Sequence, residues 1–316
     1  MINNLQIHKP VLLNEVIKLI NVKPNGTYVD CTAGFGGHSQ AIASKLSKQG
    51  RLICIDQDQD AVDYLKKLFN NDQRIEVVHD NFANVKSIFK QCNIQKADGV
   101  IVDLGVSSLM FDEPTRGFSY HNDGPLDMRM NQKLSTTAAD VINKYSQKQL
   151  IEIFKKYGEI KDCYSVVNKI ISSRLIATIT TTKQLVDIIK ASVNPKLLHT
   201  IKHPARQYFQ AIRIYVNDEL NILHSFLEVV SQLIALNGTL AIISFHSLED
   251  KIIKDRFNFL TTSHLPKEVP LVETPPFQLI TKKPITPTKK EMTINRRSRS
   301  AKLRAIKRIH NQEQYV

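Results

Sequence analysis

The residues most able to do chemistry lie at the ends of apolar runs. The first group is Val29-Asp30-Cys31-Thr32-Ala33-Gly34-Phe35-Gly36-Gly37-His38, where an apolar run passes into glycines and then into helical spacing. Glycines let a backbone turn tightly and approach a ligand, and the helix that follows offers free N–H groups. A side chain placed at Gly36 is therefore expected to intrude where backbone meets ligand. Asp56 follows Gly36 by 20 residues, at the end of the next apolar run. An acid at that place suits hydrogen bonds to ribose hydroxyls. Asp103-Leu104-Gly105 closes a later run, and its carboxylate can accept a hydrogen bond from an amine. Three further stretches are polar and dense: Arg116-Gly117-Phe118-Ser119 with Asp123-Gly124-Pro125-Leu126-Asp127-Met128-Arg129-Met130; His203-Pro204-Ala205-Arg206-Gln207 onward to Leu220; and Ile243-Ser244-Phe245-His246-Ser247-Leu248-Glu249-Asp250.

These residues need a scaffold, and the first half of the chain supplies one by alternation. Thr27–Cys31, Arg51–Asp56, Arg74–His79 and Ala97–Leu104 read as strands. Val11–Ile20, His38–Leu46, Gln57–Phe69 and Phe82–Gln91 read as the helices between and before them. Strands separated by helices form βαβ units around a parallel sheet, whose ligands sit at the carboxyl ends of the strands. Residues 105–130, rich in Gly, Pro and Asp, predict a loop. Residues 135–200 read as helical, with Leu150–Tyr157, Ser165–Ile176 and Lys183–Ala191 the best helices. A long helix is expected from about Arg206 to Leu236, broken by Asn237-Gly238 before the strand Thr239–Phe245. A further helix runs to about Phe259. A Pro- and Thr-rich loop follows over 261–292, with strands at Phe277–Thr281 and Leu303–Ile309.

Composition narrows the class of protein. With 316 residues, 42% hydrophobic and 23% charged, the chain is long enough for about two domains and is not collagen-like or mostly disordered. The net charge is +13, of which residues 281–316 carry eleven Lys/Arg against two acids. A basic segment on a nearly neutral body points to a polyanion such as nucleic acid, with a solubilising tail as the plainer alternative. Cys31, Cys54, Cys92 and Cys163 form no C-x-x-C pair and match no zinc spacing, which predicts no metal site and a reducing cytoplasm. No stretch predicts a membrane span.

The glycine loop lacks the third glycine of a dinucleotide fingerprint, Ser39 standing in its place, and no phosphate-binding Lys follows it. It is closer to the acid-x-G-x-G loop of S-adenosylmethionine-dependent methyltransferases, with Thr32 at the first glycine. An NAD-dependent oxidoreductase therefore fits poorly. Asp103-Leu104-Gly105 stands where enzymes that methylate exocyclic amines carry Asp/Asn/Ser-Pro-Pro-aromatic, so a stacking ring would come from Phe118, Tyr120 or Phe245.

Together with Asn295-Arg296-Arg297-Ser298-Arg299-Ser300-Ala301-Lys302-Leu303-Arg304, these segments resemble the bacterial ribosomal RNA small subunit methyltransferase H (MraW) family. The resemblance runs from His8-Lys9-Pro10-Val11-Leu12-Leu13 to Leu303-Arg304. It implies a Rossmann-like, S-adenosylmethionine-dependent methyltransferase sheet with an inserted helical domain. The expected layout is 1–130 for the first part of the sheet domain, 131–204 for the insert, assigned to substrate recognition, and 205–316 for the second part with the basic segment. The implied reaction methylates N4 of a cytidine in the decoding centre of 16S rRNA in the small ribosomal subunit. A non-catalytic RNA-binding assembly factor is the alternative.

By resemblance, Gly36, Gly37 and His38 match the family's G-G-H cofactor loop, Asp56 the ribose acid, Phe82 the residue beside the adenine, and Asp103 the acid after the fourth strand. Where the family has Gln after L-G-V-S-S, this chain has Met110. Asp103 is the first choice for the acceptor of the amine's hydrogen bond, with His246 and Asp127 as alternatives. Arg296, Arg297, Arg299 and Arg304 are the candidate RNA contacts. No protein partner is implied.

Overall fold

Alternation along each strand sends side chains into two separate cores. On Arg51–Asp56, Ile53 and Ile55 enter one core while Leu52 and Cys54 enter the other. On Ala97–Asp103, Val100 and Val102 oppose Ile101 in the same way. Such two-sided burial requires helices on both faces and explains the near-continuous apolar runs. In the computed structural model, residues 10–194, 203–263 and 274–310 are described. His8 and Lys9, the end of the helical reading beyond residue 194, and residues 264–273 of the expected loop lie outside them.

The elements of the sheet unit are α1 (Leu13–Ile20), β1 (Thr27–Asp30), α2 (Gly37–Ala43), β2 (Arg51–Asp56), α3 (Gln59–Leu68), β3 (Ile75–His79), α4 (Val85–Gln91) and β4 (Ala97–Asp103). The helical unit contributes α5 (Ser108–Asp112), α6 (Ala138–Lys144), α7 (Gln147–Gly158), α8 (Tyr164–Ile176), α9 (Thr182–Ser192) and α10 (Arg206–Val216). The chain then completes the sheet with α11 (Glu219–Val230), β5 (Ile234–Ser244), α12 (Ser247–Thr261), β6 (Phe277–Leu279), α13 (Lys289–Ile294) and β7 (Lys302–Arg308). The strand order is β3-β2-β1-β4-β5-β7-β6. The first five strands are parallel; β7 runs antiparallel to both β5 and β6. The order reverses between β1 and β4, the switch point at which open sheets of this kind leave a ligand crevice. No helix among the described residues is long and apolar enough to cross a membrane. All four cysteines are free and buried.

Two compact units divide the chain: residues 1–105 with 221–316, and Val106–Leu220. The helical unit is thus wider at both ends than 131–204. The Gly- and Pro-rich stretch is no surface loop, because Phe118, Leu126, Met128 and Met130 are buried in one core with Val141, Leu150 and Phe154. On the other side, Tyr208, Phe209 and Ile212 of α10 join that same core.

The expected helix from Arg206 to Leu236 is two helices. Asn217 breaks it: its side chain accepts from Met130 N at 2.7 Å and donates to the carbonyls of Met128 and Arg213. Asp218 then takes a left-handed φ of 51°. The strand predicted to start after Asn237-Gly238 starts earlier, at Ile234. Asn237 adopts φ 65° inside it, opposite a register shift between Ala97 and Gly99.

Candidate active site

Three carboxyl groups stand at or near the carboxyl ends of adjacent strands: Asp30 on β1, Asp56 on β2 and Asp103 on β4. The loop after β1 is tied to the last two. Gly34 N donates to Asp56 Oδ2 at 2.7 Å, and Asp58 N donates to Asp56 Oδ1 at 2.9 Å. Each carboxylate oxygen of Asp56 keeps a second lone pair. Thr32 Oγ1 accepts the backbone N–H of Asp103 at 2.6 Å, which fixes the end of β4 to the loop. Asp30 is buried and accepts from Ser39 Oγ at 2.7 Å.

The three acids share an electrostatic problem. Burial pushes Asp30 and Asp56 up to about 6, despite the N–H and hydroxyl groups that donate to them. Asp103 is pushed well above the usual carboxylate range, first by burial and then by the like charges of Asp30 and Glu249. Its Oδ1 is buried without a hydrogen-bond partner among the described residues. A buried polar atom left unpaired is costly, and such atoms mark places where a ligand completes the bonding.

The other expected residues divide. Gly36 and Gly37 open α2, but Gly37 is a packing position: a Cβ there would lie 2.4 Å from Pro10 Cγ. His38 turns inward, its Nε2 3.1 Å from the carbonyl of Val11, and burial lowers it to about 4. Its Nε2 is therefore committed to the fold. Phe82 follows β3 and packs edge-on against Phe226 at 5.2 Å. Met110 is buried in the helical unit's core, so a thioether there serves packing.

Of the two alternative acceptors, Asp127 is engaged structurally, whereas His246 is engaged through Nδ1 while its buried Nε2, like Asp103 Oδ1, has no hydrogen-bond partner among the described residues. His246 caps α12, its Nδ1 accepting from Glu249 N at 3.4 Å, and its Nε2 lies within ion-pair distance, 3.0 Å, of Glu249 Oε1. Asp127 is held by Arg129 through bonds of 2.8 and 2.7 Å from Nε and Nη2. Of the three candidate rings, Phe118 is buried in the helical unit. Tyr120 stacks on His203 at 4.8 Å. Phe245 is half-buried at the end of β5, the strand whose Ile243 pairs with Asp103, and lies beside Gly105.

Within its described residues, up to 310, the basic C-terminal segment is built into the sheet. Residues 302–308 form β7, held between β5 and β6. Arg304, 12% exposed, bonds Asp250 at 2.7 Å, with Lys302 on the same carboxylate at 2.9 Å. Burial pushes Asp250 up, but these two cations outweigh it and hold it below the usual range. Arg304 is therefore committed to the fold and cannot serve as the phosphate contact expected of it. Arg296, Arg297 and Arg299 are exposed on the turn before β7.

The loop also corrects the expectation for Gly36. Its φ is 78°, and a Cβ would sit 2.9 Å from Leu68 Cδ2 and 3.1 Å from Leu65 Cδ2. Gly36→Val thus strains the core as well as the loop. Gly34, at φ 51°, has open space where its Cβ would be. Gly34→Ala is expected to cost about 1–2 kcal/mol of stability from the left-handed backbone alone. It is also expected to weaken cofactor binding, whereas Gly36→Val melts lower still. Calorimetric titration and thermal melts on both variants check this; a Gly34→Ala protein that binds like the parent would remove the loop from the site.

A parallel sheet of this order with an antiparallel β7, an acid-and-glycine loop after β1 and a helical unit inserted after β4 define a Rossmann-like, S-adenosylmethionine-dependent methyltransferase. The profile of the MraW methylase family matches residues 5–309, and the chain belongs to that family. Among its relatives, a Ureaplasma urealyticum protein is 51% identical over 301 residues, covering 95% of this chain and 97% of that one. A Streptococcus mutans protein is 46% identical over 310 residues, covering 96% and 98%. A Clostridium botulinum protein is 46% identical over 306 residues, covering 96% and 99%. All three are named ribosomal RNA small subunit methyltransferase H.

Proposed function

We propose that this methyltransferase acts in the cytoplasm on 16S rRNA of the small ribosomal subunit, at the exocyclic N4 amine of a cytidine in the decoding centre. The names of its relatives support the RNA, and the unpartnered Oδ1 of Asp103 carries the reading of an amine as the acceptor. The residues fit S-adenosylmethionine in three ways. Asp56 has lone pairs free for ribose hydroxyls, Gly34 leaves room beside it, and the acids of the crevice suit a cation. The backbone of Gly36, Gly37 and His38 and the turn at Phe82 complete the proposed cradle. When bound, the cofactor supplies an electrophilic methyl group on a positively charged sulfur.

The cytosine amine is a poor nucleophile because its lone pair is delocalised into the ring. Asp103, as carboxylate, accepts an N–H of that amine, favours its pyramidal form and takes the proton as the new N–C bond forms. Its raised pKa makes it the stronger base near neutral pH. Phe245 offers a ring on which the base can stack once it has left the RNA stack. The inserted unit, 131–204 with its flanks, recognises substrate. Mass mapping of methylated nucleosides in 16S rRNA from cells lacking the protein tests the reading. Loss of one N4-methylated cytidine is expected, and an unchanged map would overturn it.

Arg296, Arg297 and Arg299 are assigned to RNA phosphates. Each change to Gln is expected to shallow the log–log salt slope of RNA binding by roughly 0.7–0.9. Arg304→Gln is expected to lower the melting temperature instead, because it leaves the partly buried Asp250 with Lys302 as its one remaining cation of the pair. Affinity measured across a salt series checks the first and thermal melts check the second, and parallel salt lines for the three exposed variants would reject the contact.

A further inference from the structure

The charges on α7 are arranged in rows. Lys148, Glu152 and Lys156 recur every four residues, with Ile151 and Lys155 in the adjoining row. One helix face thus carries three cations and one acid, all exposed. The opposite face of the helix is spent on the core through Leu150, Ile153 and Phe154. At the start of α8, Tyr164 stands 49% exposed, an unusual place to leave a large ring. Lys148, Ile151, Glu152, Lys155, Lys156 and Tyr164 line a broad, open groove on the surface of the helical unit. Lys155 Nζ lies 4.6 Å from the centroid of the Tyr164 ring and 2.9 Å from its hydroxyl, which holds the ring at the groove.

We infer that this groove binds a single-stranded segment of RNA, with Lys148, Lys155 and Lys156 on successive phosphates and Tyr164 stacked on a base. The inference rests on the proposed RNA substrate. Cations beside an exposed ring match the two features that alternate along a single strand, charged phosphate and flat base. A duplex hides its base faces, and an acidic peptide offers nothing for the ring to stack on. Glu152 lowers the charge of the face, so the ring must contribute to affinity.

The test is anisotropy of a short fluorescein-labelled single-stranded RNA on the full chain, across a salt series, with S-adenosylmethionine binding as the folding control. Tyr164→Ala is expected to weaken binding about fivefold or more, and Tyr164→Phe, which keeps the ring, by less than about twofold. Lys148→Gln, Lys155→Gln and Lys156→Gln are each expected to shallow the salt slope by about 0.7. Polyglutamate at matched charge is expected not to displace the RNA. Parent-like binding by Tyr164→Ala, unchanged slopes in the lysine variants, or equal displacement by polyglutamate would overturn the groove. Methyl transfer to isolated small subunits by the parent separates the two readings. A parent that methylates while the groove variants bind normally sinks the groove alone; a parent that neither methylates nor binds RNA sinks the substrate reading with it.

Discussion

Asp103→Ala is expected to lower turnover by about 10²–10⁴-fold, the range lost with a positioned general base, while cofactor affinity changes far less. The expectation follows from an acid that the fold holds at a cost. Its Oδ1 has no partner among the described residues, and burial together with Asp30 and Glu249 disfavours its charge. A group kept in that state without a structural bond is kept for what it does to a ligand. Removing it relieves the repulsion, so Asp103→Ala and Asp103→Asn are expected to melt at or above the parent. Asparagine separates the two parts of the role. It retains an oxygen that can accept the amine's hydrogen bond but cannot take a proton. Its turnover should lie between parent and alanine, and its rate should no longer rise with pH as the parent's does. Single-turnover methylation of small subunits across pH, with calorimetric cofactor binding, measures both parts. Parent-like rates and affinity in both variants would refute any role at this position.

The sheet was legible because its strands are buried on both faces. Arg51–Asp56 is correct to the residue, and the ribose acid is its last position. Breakers were read less well because one signal serves two physical ends. Asn237-Gly238 reads as the end of a helix, yet it lies within β5. A Cβ on Gly238 would stand 2.8 Å from the carbonyl oxygen of Ala235 and 2.9 Å from that of Ala97, so the glycine permits a close approach of two strands. Asn217 looks ordinary in a helical run. Its capping role depends on Met128 and Met130, distant in sequence and invisible to local periodicity.

The site was legible at its strand ends and illegible in its supports. Asp56 and Asp103 fall where a parallel sheet puts ligands. Asp30 ends a strand in the same way, but its importance comes from Ser39 on α2 and from its charge on Asp103, neither of which local sequence displays. The acid of the acid-x-G-x-G spacing was the available signal. Arg304 shows the converse failure. Charge counting placed it with its exposed neighbours, while the alternation of β7 turns it onto Asp250.

Asp56→Ala is expected to weaken S-adenosylmethionine binding by about 10–150-fold, which corresponds to the 1.5–3 kcal/mol of hydrogen bonds to a charged group. Because Asp56 also accepts from Gly34 N and Asp58 N, weaker binding alone does not identify the ribose as its target. A cofactor analogue without ribose hydroxyls does: it should bind the parent much more weakly than the cofactor, and bind Asp56→Ala about as well as the cofactor does. The pH dependence gives a second signature, and its sign follows from burial. The folded carboxyl titrates at about 6 against an ordinary value of 3.8. Between those values the folded state keeps a proton that the unfolded chain has released. This group's contribution to stability is therefore full below about 4 and is lost as pH rises toward 6. Ligand binding runs the other way, since two hydroxyls are best accepted by the ionised form. Cofactor affinity should rise with pH through about 6 and level off above it, just where the free protein loses this stabilisation. Thermal melts with and without cofactor should then separate as pH rises across that window, and in Asp56→Ala the widening should shrink. A gap of constant width from pH 5 to 8 in the parent would be incompatible with an Asp56 that binds the ribose as a carboxylate.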